Sequence, residues 1–308
     1  MQNLESHTKS PAYSMPRKLL FIVNPNAGKK ISDAIIKIIR KEFPQNMYYQ
    51  IVIWKNKDHF EEISSLLKSE GYTDAIAVGG DGTVNQVASV IQGTSIRLGI
   101  VPIGSGNGLA RSLGLSMDIE EVIKQIVEGK SAQIDCGKVN HQPFYCTSGI
   151  GFDAHIAWLF AKSKSRGLKT YVKVTIAQLL SYRAKLYTLE FNGRTINRKA
   201  FLITVANAGQ YGNDFYIAPQ AKLDDGLFHV VILKPFSVFS LFSIFIKIIR
   251  RKAQTSSFIE TFTTDNLSIL RDAGDSIHFD GEPQMAGKQL VYSMQSKALN
   301  VIVGRDFR

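Results

Sequence analysis

Short apolar runs alternate with longer amphipathic segments from Pro16 to about Lys130, and this alternation limits the possible folds more than any other feature. Strands are predicted at 19–23, 48–53, 74–78 and 97–101, and helices at 31–42, 58–69, after residue 83 and at 118–128. Strands that alternate with helices in this way form parallel sheets with helices on their faces. Residues 16–131 are therefore predicted to be an open α/β domain.

The pattern changes beyond about Ala132. Strands are predicted at 133–140, 144–150, 185–192, 200–206, 227–233, 257–263, 267–270, 276–280, 289–293 and 298–303, with helical insertions at 153–182 and 236–250. Consecutive short strands favour a mainly antiparallel β domain over 132–296. Residues 1–15 read as a mobile tail, and 297–308 as a C-terminal segment that can return to the first domain.

Composition narrows the classes of partner. Lys and Arg number 37 against 26 Asp and Glu, a net charge of +11, which favours phosphorylated substrates, nucleic acid or an acidic membrane. Cys136 and Cys146 lack the spacing of a metal site, which favours a reducing cytoplasm. The N-terminus lacks the apolar run of a signal peptide, and the apolar run at 236–246 is too short to cross a bilayer.

Three glycine turns follow predicted strands: the first turn (24–30, NPNAGKK), the second turn (79–83, GGDGT) and the third turn (102–108, PIGSGNG). Backbone amides at a helix N-terminus bind phosphate, and ligands of open α/β sheets lie beyond the strand ends. Each turn alone can be a simple strand-to-helix connection. Asp81 within the second turn indicates a magnesium–nucleotide complex, with a turn-stabilising carboxylate as the alternative.

Several familiar sites are excluded by spacing. The Walker A motif GxxxxGK[ST] and the dinucleotide fingerprint GxGxxG are not met, so neither standard nucleotide motif applies. HExxH and GxSxG are also missing, which disfavours a zinc protease or an α/β-hydrolase.

The motifs taken together resemble the diacylglycerol kinase catalytic-domain superfamily, which includes bacterial lipid kinases and the sphingosine and ceramide kinases. The resemblance is carried by NPNAG (24–28), GGDGT (79–83), PIGSGN (102–107), IDCG (134–137), GIGFDA (149–154), KLDDGLF (222–228) and FDGE (279–282). GGDGT alone also resembles NAD kinases and phosphofructokinases. The resemblance implies the NAD kinase/diacylglycerol kinase-like fold and a kinase that uses ATP and Mg²⁺ on a lipid hydroxyl.

The resemblance also implies roles for particular residues. Asp81 and Glu282 become the catalytic candidates, with Glu282 as general base towards the lipid hydroxyl. The nucleotide site would comprise Asn24, Gly79, Gly80, Asp81, Gly82, Thr83, Asn85, Ser105 and Asn107. A structural magnesium would bind the Asp225 side chain and the backbone oxygens of Lys222 and Leu227, and Asp135 matches an acidic position near the active site. Trp54 departs from the threonine often found in the family, and its indole could stack on adenine.

Without the resemblance, plainer interpretations remain for the second half. Glu282 can be a solvated carboxylate in a hairpin, and residues 224–226 can be an ordinary turn. NAD kinase-like phosphorylation of a dinucleotide and a non-catalytic lipid- or nucleotide-binding regulator are the rival functions. Retention of Asp81, Asp225 and Glu282 argues against the regulator.

Two basic segments indicate docking on an anionic membrane surface, so the protein is expected to be cytoplasmic and peripherally membrane-associated. The first lies between Asp153 and Glu190, lacks acidic residues and contains Lys162, Lys164, Arg166, Lys169, Lys173, Arg183 and Lys185. In the second, 236–252, an apolar run precedes Lys247, Arg250, Arg251 and Lys252, although part of this run can belong to the core. No nucleic-acid-binding module accompanies these basic segments, so nucleic acid is not expected as a partner. The sequence leaves open whether the protein forms a homodimer.

Overall fold

The computed structural model describes residues 16–27, 32–163, 168–179, 181–212 and 215–307. The predicted tail lies outside these ranges, as do residues 28–30 of the first turn and Lys164 and Arg166 of the basic segment. None of the helices within the described ranges combines the length and the apolar character needed to cross a bilayer.

Strands and helices alternate in the first part of the chain. In order, they are β1 (Lys18–Val23), α1 (Ser32–Glu42), β2 (Tyr48–Ile53), α2 (Lys57–Ser69), β3 (Asp74–Gly79), α3 (Asp81–Ile91), β4 (Arg97–Pro102), α4 (Gly108–Ser112) and α5 (Ile119–Glu128). The strands are parallel in the order β2-β1-β3-β4. Val23 pairs with Val78 and Gly79 with Pro102, so the loops after β1, β3 and β4 leave the same edge of the sheet.

The apolar sequences of the central strands match their burial in the core of this part. All six residues of β3 and five of the six in β1 are buried between the helices, as expected for central strands of a parallel sheet. The one buried charge there, Asp74, is paired with Arg17 at 3.1 Å and with Arg97 at 2.8 Å. A buried carboxylate is tolerated when it has such partners.

The second part is mainly antiparallel. Its elements are β5 (Ser131–Val139), β6 (Gln142–Phe144), β7 (Thr147–Gly151), α6 (Phe152–Lys162), α7 (Leu168–Leu179), β8 (Lys185–Phe191), β9 (Arg194–Ala200), β10 (Leu202–Ala206), β11 (Phe228–Leu233), α8 (Leu241–Ile249), β12 (Ile259–Thr264), β13 (Asn266–Arg271), β14 (Asp275–Phe279), β15 (Glu282–Ala286) and β16 (Gln289–Ile302). One sheet has the order β12-β11-β10-β7-β14-β15. Its inner face packs on β8, β13 and β16 through a shared apolar cluster.

The 14-residue strand β16 belongs to both parts. Near its start, Tyr292 pairs antiparallel with Leu267 of β13, and near its end, Asn300 pairs parallel with Arg97 of β4. The ten-stranded sheet therefore runs β2-β1-β3-β4-β16-β13-β8-β9, with β5 paired to β16 and β6 paired to β5. The two parts share a continuous sheet rather than a simple linker.

The predicted fold class, an α/β part followed by a mainly antiparallel β part, is confirmed, and several details differ. β9 and β15 were not predicted, because both are sheet-edge strands with mostly exposed side chains (RTINRKA and EPQMA) and so lack an apolar pattern. Strands 289–293 and 298–303 form one strand, whose pairing with β5 shifts between Gln295 and Leu299. The insertion 153–182 contains two helices, and α8 begins at Leu241, after a short 3-10 turn, rather than at residue 236.

Candidate active site

The second and third turns pack backbone against backbone at the strand ends. A Cβ added to Gly104 would lie 2.6 Å from the Cα of Gly80, and one added to Gly80 would lie 3.2 Å from the Cα of Gly104. Real Cβ atoms do not tolerate contact as close as the first of these, so Gly104 is required by the fold of the site. The two turns form a single surface at the N-terminus of α3.

Asp81 joins these turns through its carboxylate. Oδ2 accepts the N–H of Asn107 at 2.9 Å, and Oδ1 accepts the N–H of Gly108 at 2.8 Å. Burial raises the pKa of Asp81, although these backbone hydrogen bonds act in the opposite direction. Asp81 therefore positions the third turn, and because a carboxylate offers about four acceptor sites, it keeps acceptor capacity for a cation or water.

Asn107 closes the third turn from within. Its φ of 53° is left-handed, a conformation that asparagine tolerates better than most residues. Its side chain accepts the N–H of Gly104 at 3.0 Å and donates to the carbonyl of Gly104 at 2.9 Å. Ser105 lies exposed in this turn.

Asn24 connects the first turn to the second. Its Nδ2 donates to Oγ1 of Thr83 at 2.9 Å, while its Oδ1 accepts the N–H of Asn26 at 3.0 Å. Thr83 is buried, and Asn85 is half-buried in the first turns of α3. The predicted nucleotide residues therefore gather at one sheet edge.

Glu282 reaches the same place from the second part of the chain. Asp280 and Gly281 form a two-residue hairpin turn between β14 and β15, with φ of 49° and 89°. The exposed carboxylate of Glu282 follows this turn, and its Oε1 lies 3.1 Å from the point that a Cβ on Gly82 would occupy. A carboxylate from the β domain thus faces the glycine-rich start of α3.

Asp280, which the sequence analysis did not select, anchors this hairpin. Its carboxylate accepts the N–H groups of Tyr145, Cys146 and Thr147 at 2.7–2.8 Å. Burial raises the pKa of Asp280, and the nearby Asp81 carboxylate raises it further. The Asp-Gly pair in FDGE signals a tight hairpin turn, but no sequence pattern shows where the Asp280 side chain points.

A buried polar network supports the hairpin from below. Nε2 of His278 lies 3.2 Å from Oδ2 of Asp153, which also accepts the hydroxyl of Tyr211 at 3.0 Å. Nδ1 of His278 accepts the N–H of Gly281 at 3.4 Å. The motif GIGFDA thus contributes Asp153 beneath the turn that carries Glu282.

The predicted magnesium residues lie in the loop before β11. Oδ1 of Asp225 accepts the N–H of Leu227 at 3.0 Å, and Oδ2 lies 3.1 Å from Nε2 of His229. Lys222 is exposed. The described residues contain no group of three or more His, Cys, Asp or Glu side chains suited to a metal. One carboxylate with backbone oxygens still fits a largely hydrated Mg²⁺, which prefers oxygen ligands and keeps several waters.

Asp135 is buried and links two segments. Its oxygens accept the N–H of Gly226 at 2.6 Å and the N–H of Lys297 at 2.7 Å. It thereby fixes the loop that carries Asp225 to β16. Trp54 is half-buried, its Nε1 donates to the carbonyl of Asn56 at 2.5 Å, and its ring packs on Phe60 with centroids 4.9 Å apart.

Fold and site together define a two-part kinase class, in which an α/β part supplies glycine turns and a β part supplies a carboxylate. Residues 18–139 match the diacylglycerol kinase catalytic domain, and residues 147–303 match the YegS C-terminal NAD kinase beta sandwich-like domain. The chain therefore belongs to the diacylglycerol kinase catalytic-domain family of lipid kinases, with a YegS-type second domain. The resemblance inferred from the motifs is confirmed.

Individual relatives agree with this assignment. The diacylglycerol kinase of Staphylococcus epidermidis is 29% identical over 229 residues, 71% of each chain, and that of Staphylococcus aureus gives the same values. A crystal structure of a diacylglycerol kinase from Bacillus anthracis has a TM-score of 0.73 at 20% identity and covers 96% of this chain and 100% of that one. A second Bacillus anthracis structure has a TM-score of 0.78 at 20% identity over 97% and 99%. These structures establish the shared fold.

Proposed function

We propose that this protein transfers the γ-phosphoryl group of ATP to a hydroxyl of diacylglycerol or a closely related lipid. The main support for the proposal is that Glu282 lies close to Gly82. This position brings a carboxylate from one domain to the proposed phosphate-binding start of a helix in the other. Family membership and the names of the Staphylococcus relatives support a lipid acceptor. Residues 16–131 would bind ATP, and 132–296 the lipid.

In this proposal, the glycine turns hold the phosphates through their amides while Asn24, Asn85, Ser105 and Asn107 line the nucleotide site. The lipid hydroxyl gives its proton to the Glu282 carboxylate, and its oxygen bonds to the γ-phosphorus. The bond from that phosphorus to the bridging oxygen of ADP breaks, and the electron pair leaves on ADP. Little covalent chemistry is required of the protein, since positioning and charge neutralisation supply most of the catalysis.

Magnesium enters the proposal in two places. Bound with ATP, Mg²⁺ supplies positive charge against the phosphate oxygens, and the free lone pairs of Asp81 suit it. Asp225, with the backbone oxygens of Lys222 and Leu227, would hold a second, structural ion. We also propose that the protein works in the cytoplasm at the surface of a membrane.

The deciding experiment supplies ATP labelled on the γ-phosphate, Mg²⁺ and diacylglycerol in mixed micelles to the purified protein. Label should move into the organic phase as the phosphorylated lipid, and Glu282→Gln should abolish most of that transfer. Parallel reactions offer NAD⁺ as the acceptor. Label found in a dinucleotide product would replace the proposal with NAD kinase-like chemistry. ATP binding without turnover on either acceptor would replace it with a regulator.

A further inference from the structure

The short helix α8 and the 3-10 turn before it, residues 238–249, divide their apolar residues between core and solvent. Ile244 and Ile248 are 3% and 7% exposed and pack into the apolar cluster beneath the helix. Phe239, Phe242, Phe245 and Ile249 are 93%, 74%, 48% and 51% exposed. The segment is thus partly core and partly an exposed apolar ridge, which we define as Phe239, Phe242, Phe245 and Ile249.

The ridge has the pattern of one helical face, because its members are three residues apart, except for the step from Phe245 to Ile249, which is four. Soluble monomers rarely leave several large apolar side chains together in water, so such a patch marks a contact surface. Two of the phenylalanines are among the most exposed large apolar residues of the described chain.

Basic residues border the ridge at the C-terminal end of α8. Arg250 and Lys252 are exposed, and among the described residues no carboxylate forms an ion pair with either. The guanidinium of Arg251 stacks over the ring of Tyr216 at 3.8 Å, and Nζ of Lys247 donates to the carbonyl of Thr255 at 2.9 Å. Apolar side chains beside unpaired positive charge complement the acyl boundary and the anionic headgroups of a bilayer.

The basic end of α8, next to the ridge, is also connected to the candidate active site. Tyr216, beneath Arg251, forms a β-bridge with Gln210. In the same segment, Gly212 approaches the third turn so closely that a Cβ on it would lie 2.9 Å from the carbonyl oxygen of Gly106. The described parts of this segment, 210–212 and 215–216, thus contact both the basic end of α8 and the third turn.

From these contacts we infer that the ridge and the basic end of α8 form a docking surface that inserts into an anionic lipid bilayer. This surface would hold the enzyme where its acceptor resides, so the choice of a lipid surface rests on the proposed function. Docking itself is measured without turnover. Failure of docking and failure of the kinase proposal are therefore distinguishable.

The binding experiment compares vesicles of phosphatidylcholine alone with vesicles in which about a third of the lipid is phosphatidylserine. The protein should sediment with the anionic vesicles, and less so when salt rises above about 0.15 M, where the Debye length is about 8 Å. The double variant Phe239→Ser with Phe242→Ser should lose sedimentation. Leu270→Ser with Val291→Ser, two exposed apolar residues on the β sheet, is the matched control and should bind like the parent.

The charge arm uses Arg250→Glu with Lys252→Glu, which leaves the stacked Arg251 in place. Binding to anionic vesicles should fall by at least about fivefold for each basic residue removed. Lys55→Glu with Lys68→Glu, two exposed lysines on the first domain, makes the same change in net charge and should have a smaller effect. Thermal unfolding of all variants verifies that they are folded.

The activity arm uses a short-chain diacylglycerol dispersed below its aggregation concentration. The ridge and charge variants should phosphorylate this substrate as fast as the parent while losing activity on vesicles. A parent that ignores anionic vesicles, or ridge variants that bind like the parent, would overturn the docking inference. Ridge variants that convert a dimer into a monomer without weakening vesicle binding would also overturn it and make the ridge an interface between copies of this chain.

Discussion

Nε2 of His278 and Oδ2 of Asp153 lie 3.2 Å apart beneath the hairpin that carries Glu282. Because Nδ1 of the same ring accepts the N–H of Gly281, the ring proton belongs on Nε2 and is donated to Asp153. His278 is therefore a positioning residue for the turn next to the proposed base.

His278→Leu should lower kcat by up to about 100-fold while changing the KM for ATP little, because a small displacement of a catalytic group is costly. His278→Gln can still donate to Asp153 and should retain more activity. Steady-state kinetics measure kcat and the KM for ATP separately. The control is His141→Gln, a change at an exposed histidine. Equal loss of kcat and thermal stability in both position-278 variants would make the role purely structural.

Asp81→Ala should lower both turnover and stability. The variant removes the acceptor of two backbone hydrogen bonds, and loss of a charge-assisted bond costs about 1.5–3 kcal/mol in the free energy of unfolding. Asp118→Ala is a matched control, because Asp118 also accepts a backbone N–H, that of Glu121 at 3.0 Å, but caps α5 away from the turns. The control should lose about 1 kcal/mol and keep its kcat. An unchanged kcat in Asp81→Ala would exclude a role for Asp81 in the reaction.

Glu282→Gln keeps the size of the side chain and removes its ability to accept a proton. We expect kcat to fall by about 10²–10⁴-fold with the KM for ATP nearly unchanged. Gln284→Ala, on the same strand, is the control. A variant that matches the parent across the pH profile would exclude Glu282 as the general base.

Gly104→Ala tests the close packing of the glycine turns. The added Cβ must displace the backbone of Gly80, which should cost about 1–3 kcal/mol and raise the KM for ATP. Gly287→Ala is the natural control, because an added Cβ there meets no atom within 4 Å. Urea unfolding and ATP titration measure both effects, and identical results for the two variants would refute the packing argument.

Asp280 should make stability depend on pH. Its pKa is raised by burial, so the stability it contributes is fully present below its unfolded pKa of about 4 and is lost as the pH rises through its folded value. Asp280→Asn should consequently be most destabilising near pH 4 and less so near pH 7, as measured by urea unfolding at each pH. A destabilisation that is constant or grows with pH would contradict the direction of this shift.

The half of the candidate site made by the glycine turns could be predicted because its signals are local. A strand, a glycine turn and a helix follow one another within about ten residues in the second turn, and the parallel sheet places such turns side by side. The residues predicted around Asp81 and Asn107 therefore lie together. Glu282 needed the motif FDGE, since its strand lies exposed at a sheet edge and has no apolar pattern.

The supporting residues could not be predicted, because their partners are distant in the chain. Asp280 binds amides 133–135 positions away, and His278 meets Asp153 across 125 positions. Periodicity reports which face of an element is buried, but not which buried polar groups meet. Similarly, the apolar run at 236–246 did not indicate which of its residues are buried, such as Ile244, and which face solvent, such as Phe242.

The position of β16 has a consequence for biosynthesis. Until residues 300–301 have been made, β4 is an unpaired edge of the parallel sheet, and β13 lacks one neighbour until residues 289–293 have been made. Exposed strand edges pair readily with other chains, and contacts of such long sequence separation form slowly. The first domain, although translated first, therefore completes its sheet only when the ribosome has delivered β16, and during this interval the nascent chain is most vulnerable to aggregation.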